Sequence, residues 1–422
     1  MEVIVLDNGL QSQGEHSYRL LLEVRDALSR RKITHRIFGM RDADVAAVAD
    51  IGAIPWFTKS LYWSGRQRLP SLQNFVSDSL SLMRSLGTRG YHYSEEATAR
   101  VLNKTYRRDL ERLPNDVWTR DNLIVVPAVS QNQILGLVQH LLALPASALP
   151  TVVCQLMFAP AWTPWNRNGC HGEDYYRQAF ELAAPLIGKS LFFTTENDAL
   201  AQLYLRVFKL KTGLLPIVTR IPHVASRPEG TIKLGFFGYS KSEKGFHLLP
   251  EAIGLCRARK LPAQFVVQIQ HSNWERETVE TEKALRRIPD IEIIDGALDA
   301  DEYTRQINEV DATLLPYDPV RFGLRGSGIY TESVAAGRPV VAAKGIYAAL
   351  GIERGEAVGE IFAPYTGRAL ADAIERLLPR VTEFQSRAAH SVRDFAARHS
   401  GDAYIDATLR FAEQREARRA KP

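Results

Sequence analysis

The chain has 422 residues, 45% of them apolar and 24% charged, with a net charge of +5 and a pI of about 9.0. That length exceeds one ordinary domain and suits two or three, and the composition excludes a disordered or fibrous chain. No apolar run reaches the roughly 18–20 residues that span a bilayer, and the basic residues are not gathered with aromatics into one stretch, so nucleic acid is not an expected partner. The mild positive charge suits an anionic substrate or loose attraction to anionic lipid.

The opening MEVIVLDNGL has no basic n-region or cleavage site, so no signal peptide is read there. Cys154, Cys170 and Cys256 are far apart, odd in number and without metal-ligand spacing, as expected of reduced thiols in a cytosol. Glu2–Leu6 is a predicted strand that ends in the turn Asp7-Asn8-Gly9. The loop Gly14-Glu15-His16 leads into a helical periodicity over Ser17–Arg31, and Thr34–Phe38 is the next strand. This βαβ opening starts a doubly wound sheet. Ile54–Arg68 mixes Trp, Phe and Tyr with Lys and Arg. It suits an acceptor loop or an interfacial membrane anchor, and equally a loop that packs its rings on the domain, since it lacks a clean amphipathic period.

Helices are predicted over Leu72–Ser85, Ser94–Arg112 and Gln131–Leu144, and from Glu196-Asn197-Asp198 onward. Strands are predicted over Leu123–Val126, Thr151–Met157, Leu191–Thr195 and Leu215–Thr219. Ile221–Gly230, with two prolines and no periodicity, is the predicted linker. Ile232–Phe237 opens a second βαβ series, followed by the turn Gly238–Phe246 and a helix from His247. Phe265–Ile269 is a strand ending at Gln270-His271, and Ile291–Ile294 another, ending at Asp295-Gly296-Ala297-Leu298. Helices follow at Tyr303–Val310, Ala369–Leu378, Phe384–Ala397 and, charged and amphipathic, Tyr404–Lys421.

The stretch Asp311–Ala343 carries the densest chemistry. Ala312–Leu315 reads as a strand, Pro316–Gly326 as a turn-rich loop, Ile329–Ala336 as a helix capped by Gly337, and Val340–Ala343 as a further strand. A strand-to-helix turn leaves the first helical N–H groups pointing outward, which with the helix dipole makes an anion site. Gly326 and Gly328 let backbone approach a phosphate, Ser327 caps the helix or donates to an oxygen, and Arg325 supplies a forked cation. Glu332, one turn in, suits a neutral vicinal diol such as a ribose.

This run resembles the nucleotide-sugar loop of GT-B glycosyltransferases of the retaining family 4 type. Asp311, Leu315-Pro316, Glu332, Ala335, Gly337 and Pro339-Val340-Val341 stand in that family's order and spacing. The first Glu of the family's pair falls on Leu324, and Arg325-x-Ser327-Gly328 looks like the Arg-Ser-Gly variant of the motif. The turn from Gly238 to Lys244-Gly245 resembles the family's Gly-Arg-x-x-x-x-Lys-Gly turn, with Tyr239 in place of the Arg.

The resemblance implies an α/β chain of GT-B fold: two Rossmann-like doubly wound domains facing a cleft, with a C-terminal helix crossing back. The expected division is 1–222 for the acceptor domain, 231–395 for the nucleotide-sugar domain and 396–422 for the crossover helix and basic tail. It implies that Lys244 and Arg325 neutralise the donor diphosphate, Ser327 and Gly328 bind its oxygens, and Glu332 holds the ribose. Gly238 and Tyr239 would line the phosphate turn, His271 would face the same cleft, and backbone at Ala297 would hold the nucleobase. His16, on the loop before the first helix, is the leading catalytic candidate of the first domain, or else a solvent-facing helix-start histidine. Where the family commonly has a His or Asp just after the strand Thr151–Met157 this chain has Gln155 and no His, with His171 as the nearest histidine on a Gly-rich loop. Asp42-Ala43-Asp44 and Asp299-Ala300-Asp301 look like the metal motif of the other glycosyltransferase fold, but each sits where Asp caps a helix, so no metal is expected.

The function so implied is metal-independent transfer of a hexose, with retention, from a nucleotide-diphosphate sugar to a glycan or lipid-linked acceptor, without a cofactor. The expected place is the cytoplasm, with peripheral contact at the inner face of the cell membrane, in polysaccharide assembly. Two other readings stay open. One is an inactive GT-B-like binding protein, favoured by the broken Glu pair. The other is a sugar-nucleotide epimerase, against which stand the late Lys-Gly turn and the lack of an N-terminal Gly-x-Gly-x-x-Gly.

Overall fold

The computed structural model describes residues 1–13, 16–63, 90–160, 172–219, 230–271 and 276–419, with backbone alone at 16 and 90–97. Contacts divide the chain into two compact units, Met1–Leu215 with Tyr404–Pro422, and Pro216–Ala403.

The first unit holds a seven-stranded parallel sheet in the order β3-β2-β1-β4-β5-β6-β7. Its strands are β1 (Val3–Leu6), β2 (His35–Met40), β3 (Ile54–Phe57), β4 (Leu123–Val129), β5 (Thr151–Leu156), β6 (Leu191–Thr195) and β7 (Gly213–Leu214). Its helices are α1 (His16–Arg30), α2 (Val45–Ile51), α3 (Gly90–Glu111), α4 (Ile134–Ala143), α5 (Gly172–Ala183) and α6 (Asp198–Phe208). Helices on both faces explain the continuous apolar runs: every residue of β1, β4, β5 and β6 is buried.

Two expectations fail here for local reasons. Leu215–Thr219 is not a strand. The ladder stops once the Leu215 N–H reaches the Thr195 carbonyl, because Pro216 has no N–H to extend it. Conversely, β3 lies inside the aromatic stretch expected to be a loop. As an edge strand it tolerates Pro55, and its rings pack inward. Trp56 Nε1 donates to the Asp109 carbonyl at 2.9 Å, and Phe57 stacks on Tyr106 with centroids 5.3 Å apart. The helix expected at 72–85 and the end of that stretch beyond Trp63 lie outside the described residues.

The second unit holds a six-stranded parallel sheet in the order β10-β9-β8-β11-β12-β13. The strands are β8 (Ile232–Phe236), β9 (Ala263–Ile269), β10 (Ile291–Asp295), β11 (Ala312–Leu315), β12 (Val340–Ala343) and β13 (Gly359–Phe362). The helices are α7 (Leu249–Ala258), α8 (Arg276–Leu285), α9 (Ala300–Glu309), α10 (Pro319–Phe322), α11 (Gly328–Ala335), α12 (Tyr347–Glu353), α13 (Gly367–Leu377) and α14 (Val381–Arg398). The chain winds outward through β9 and β10, then returns to the far side of β8 for β11. A doubly wound sheet binds ligands at the carboxyl ends of the strands where the order reverses, here between β8 and β11.

The last helix, α15 (Gly401–Arg419), packs on the first unit. Tyr404 Oη donates to Gln155 Oε1 at 3.2 Å, and Phe411 lies 5.2 Å from Phe192. Arg415, only 5% exposed, donates to Thr151 Oγ1 at 3.1 Å and to the Leu149 carbonyl at 2.5 Å. Burial, with the like charges of Arg419 and Arg120, lowers its pKa to about 10, so it stays charged at neutral pH.

Candidate functional site

The reversal point of the second sheet is built from two interlocked turns. After β8 the chain bends through Gly238 (φ +88°), where a Cβ would come within 2.8 Å of Lys244 Nζ and 2.7 Å of Ile329 Cδ1. The missing side chain lets the ammonium lie against the backbone. Lys244 closes a 3₁₀ turn, Ser242–Lys244, and Gly245 follows at φ +71°. A Cβ on Gly245 would stand 1.7 Å from the Pro316 carbonyl oxygen, so only glycine lets the turn seat on the loop after β11. The Asp318 N–H donates to the Glu243 carbonyl at 2.9 Å and fixes the same pair of turns.

Tyr317, 1% exposed, is the hub of the second turn. The Lys244 ammonium lies 5.8 Å from its ring centroid, and Ser327 Oγ donates to its hydroxyl at 3.4 Å. Burial drives the phenol pKa well up, with the Ser327 hydrogen bond and the Arg325 charge opposing and the Glu332 charge reinforcing, so Tyr317 stays neutral. Arg325 stacks over Phe322 at 4.9 Å, and its guanidinium is 3.8 Å from the Glu243 carboxylate. Ser327 caps α11 by accepting the Tyr330 N–H at 3.3 Å, which aims the first turn of the helix at the same place. Glu332, one turn along, is half-buried, with Oε2 shielded from solvent. Lys244, Arg325, Ser327, Gly328 and Glu332 are thus brought together around one tyrosine. Cations and free helical N–H groups there can hold an anion, and the carboxylate can accept from hydroxyls.

Sequence reading missed Tyr317 and also Gln268. The latter is 2% exposed near the carboxyl end of β9, its Oε1 accepting the Gly238 N–H at 2.8 Å and its Nε2 donating to the Gly296 carbonyl at 2.9 Å. An amide following the apolar run FVV in AQFVVQI was the available signal. Ala297 lies exposed in the turn after β10, where Gly296 takes φ +83°. His271 sits at the end of β9, and its Nε2 contacts Glu282 of α8 at 2.7 Å. Burial would raise the Glu282 pKa, but hydrogen bonds from Arg286 and His271 outweigh it and lower it. Tyr239 is half-buried, with Lys241 Nζ 5.2 Å from its ring centroid.

No protein-family model and no curated protein matches the chain. Solved structures do match along its whole length. Sucrose-phosphate synthase from Thermosynechococcus elongatus aligns at 13% identity over 100% of both chains, with a TM-score of 0.61. Anabaena HepE in complex with UDP-glucose aligns at 15% identity over 99% of this chain and 100% of its own, with a TM-score of 0.60. The N-terminal domain of Candida albicans trehalose-6-phosphate phosphatase aligns at 12% identity over 97% of each chain, with a TM-score of 0.64. The chain has the GT-B fold. At such identities the likeness speaks for architecture, and the range of names shows that the GT-B fold alone does not fix a reaction.

The first unit of this GT-B chain has its own reversal point, between β1 and β4, lined by buried polar groups. Gln133 Nε2 donates to Asn8 Oδ1 at 2.7 Å, and Gln133 Oε1 accepts from the Ser130 N–H at 3.0 Å and from Ser130 Oγ at 2.7 Å. Asp7, 2% exposed at the end of β1, accepts the Gly9 N–H at 2.5 Å. Burial pushes its pKa up to about 6, against hydrogen bonds from the Gly9 and Leu10 N–H groups and Ser17. In the sequence Asp7 reads only as a turn residue.

His16 opens α1, and its side chain lies outside the described residues, as do His171, Cys170 and linker residues 221–229. Gln155 holds α15 through Tyr404 and donates to the Leu215 carbonyl at 3.4 Å. Both Asp-x-Asp pairs cap helices: Asp44 accepts the Ala46 N–H at 3.0 Å and Asp299 the Glu302 N–H at 2.8 Å. Among the described residues, no group of three or more His, Cys, Asp or Glu side chains is arranged to hold a metal ion, and no helix is long and apolar enough to cross a membrane.

Proposed function

We propose that this chain is a glycosyltransferase that moves a hexose from a nucleotide-diphosphate sugar to a glycan or lipid-linked acceptor, with retention of anomeric configuration. One observation carries the reading. Lys244, Arg325, the capped mouth of α11 and Glu332 gather about Tyr317 where the strand order of the second sheet reverses. In this reading Lys244, Arg325 and the N–H groups after Ser327 meet the charge that grows on the leaving diphosphate as the bond to the sugar carbon breaks. Glu332 accepts from the ribose hydroxyls and fixes the nucleotide in register. Retention follows if the acceptor oxygen attacks on the face the diphosphate leaves, with a departing phosphate oxygen taking its proton. The fold shared with HepE, solved in complex with UDP-glucose, supports a nucleotide-sugar donor. The chain would work in the cytoplasm, where nucleotide sugars are made, and at the inner membrane face when the acceptor is lipid-linked.

The test is calorimetric titration of UDP, GDP and ADP onto the wild type, Lys244→Ala and Arg325→Ala. A hydrogen bond to a charged group is worth about 1.5–3 kcal/mol, so each variant should lose roughly 10- to 100-fold in affinity for the preferred nucleotide. Unchanged affinity in both variants defeats the assignment. NMR of slow donor hydrolysis then separates the alternatives. A product of retained configuration supports transfer, an epimerised sugar supports an epimerase, and binding without turnover supports an inactive binding protein.

A further inference from the structure

We infer that Gln268 is a positioning residue that ties the phosphate end of the donor site to its nucleoside end, and so sets which base is accepted. This rests on the nucleotide-sugar reading above. Strand β9 is covered on both faces: Phe265, Val266, Val267 and Ile269 are each at most 3% exposed. A primary amide in such a place is unfavourable unless its oxygen and nitrogen are both bonded. Here both are, and they bond in opposite directions. The oxygen accepts from Gly238 at 2.8 Å, and the nitrogen donates to the Gly296 carbonyl at 2.9 Å and to Gln270 Oε1 at 3.4 Å.

The two glycines end the strands that flank β9 on either side, β8 and β10, and both hold positive φ. On the β8 side, Gly238 carries the Lys244 ammonium against its Cα. On the β10 side, a Cβ on Gly296 would meet nothing within 4 Å, and Asp295, Gly296 and Ala297 are exposed. That turn therefore has open space in front of it, room for a planar ring. Strands in a sheet lie about 4.8 Å apart, so the mouths of β8 and β10 are about 10 Å apart, the reach of a nucleoside beyond its phosphate. A nucleoside diphosphate with its phosphates at Lys244 and α11, laid along the sheet edge over β9, puts its base over Gly296–Ala297. Gln268 then holds the cation-bearing turn and the base-facing turn at one fixed separation. Ser240, 1% exposed, braces the strap by accepting the Gln270 N–H at 3.0 Å.

The experiment titrates UDP, GDP, ADP and inorganic pyrophosphate onto the full-length wild type, Gln268→Met and Gln268→Glu. Met fills the volume and removes both bonds, whereas Glu keeps an acceptor for Gly238 but sets an oxygen against the Gly296 carbonyl. The wild type should prefer one base by about tenfold or more, and both variants should bring the three nucleotides within about threefold of one another. Pyrophosphate affinity should fall less than that for the preferred nucleotide, an uneven loss that simple destabilisation would not produce. A folded variant that keeps the wild-type base preference overturns the inference, as does a wild type that binds all three nucleotides equally. A wild type that binds neither nucleotide nor pyrophosphate overturns the donor reading itself, and is distinguishable on that ground. If neither variant folds, amide exchange on the wild type decides. Pyrophosphate should slow exchange at Gly296–Leu298 as well as at Gly238–Lys244, and slowing confined to Gly238–Lys244 overturns the coupling.

Discussion

Where strand order reverses in the first sheet, the side chains at the mouth are Asp7, Asn8, Ser130 and Gln133, buried and bonded mostly to one another. Where it reverses in the second sheet, they are Lys244, Arg325, Ser327 and Glu332, half-buried and gathered at the start of a helix. The backbone plan is the same, with one strand on each side of a central β1 or β8 opening a crevice. The difference teaches that topology supplies the crevice while a few turn residues decide its charge. The first mouth sets one buried carboxyl among neutral amides and a hydroxyl, and the second sets two cations beside a carboxylate at a helix start.

Four measurements break or sharpen that contrast. The largest effect is expected at Gly245. Alanine there meets the Pro316 carbonyl and a left-handed φ together, so Gly245→Ala should cost about 3 kcal/mol or more and lower the second unit's Tm by roughly 10 °C in calorimetry. An unshifted Tm would mean that the two turns do not interlock. Next is Asp7, whose pKa rises from an ordinary 3.8 to about 6 on folding. The folded state keeps a proton that the unfolded chain has lost. Stability of the first unit should therefore fall as pH rises from about 4 to about 6, by up to about 3 kcal/mol, and be level above that. Asp7→Asn should flatten this slope in urea titrations, and a slope that persists would place its origin elsewhere. Third, Arg415→Ala should cost the first unit about 2 kcal/mol by leaving the Thr151 hydroxyl and the Leu149 carbonyl unbonded. A Tm equal to that of the wild type would show that α15 docks without it. The smallest effect is expected at Arg305, whose ion pairs with Glu302 and Glu309 lie on the exposed face of α9. Arg305→Ala should leave Tm unmoved, and a clear drop would show a surface network that matters.

Much of this architecture was legible in the sequence because both sheets are buried on two faces, which writes strands as apolar runs such as Leu191–Thr195 and Val340–Ala343. Runs fail where an edge relaxes the rule. β3 hides in an aromatic stretch with a proline, β13 reads GEIF with a glutamate inside, and Leu215–Thr219 imitates a strand that Pro216 forbids. The Lys244 turn and the Arg325–Glu332 loop were legible because their spacing is local. Tyr317, Gln268 and Asp7 were not, because each acts through partners or burial that only the folded chain brings about. Gln268 alone reaches 30 residues back to Gly238 and 28 forward to Gly296.

The placement of α15 bears on synthesis. Most of the first unit precedes the second along the chain, yet Tyr404, Phe411 and Arg415, which cover Gln155, Phe192 and Thr151, are translated after the whole of the second unit. The second unit has all its residues by Ala403 and can close on itself while the first still waits for its final helix. The first unit is thus begun before the second and completed after it, and a nonsense codon between positions 404 and 415 would strip these contacts from the first unit while leaving every residue of the second in place.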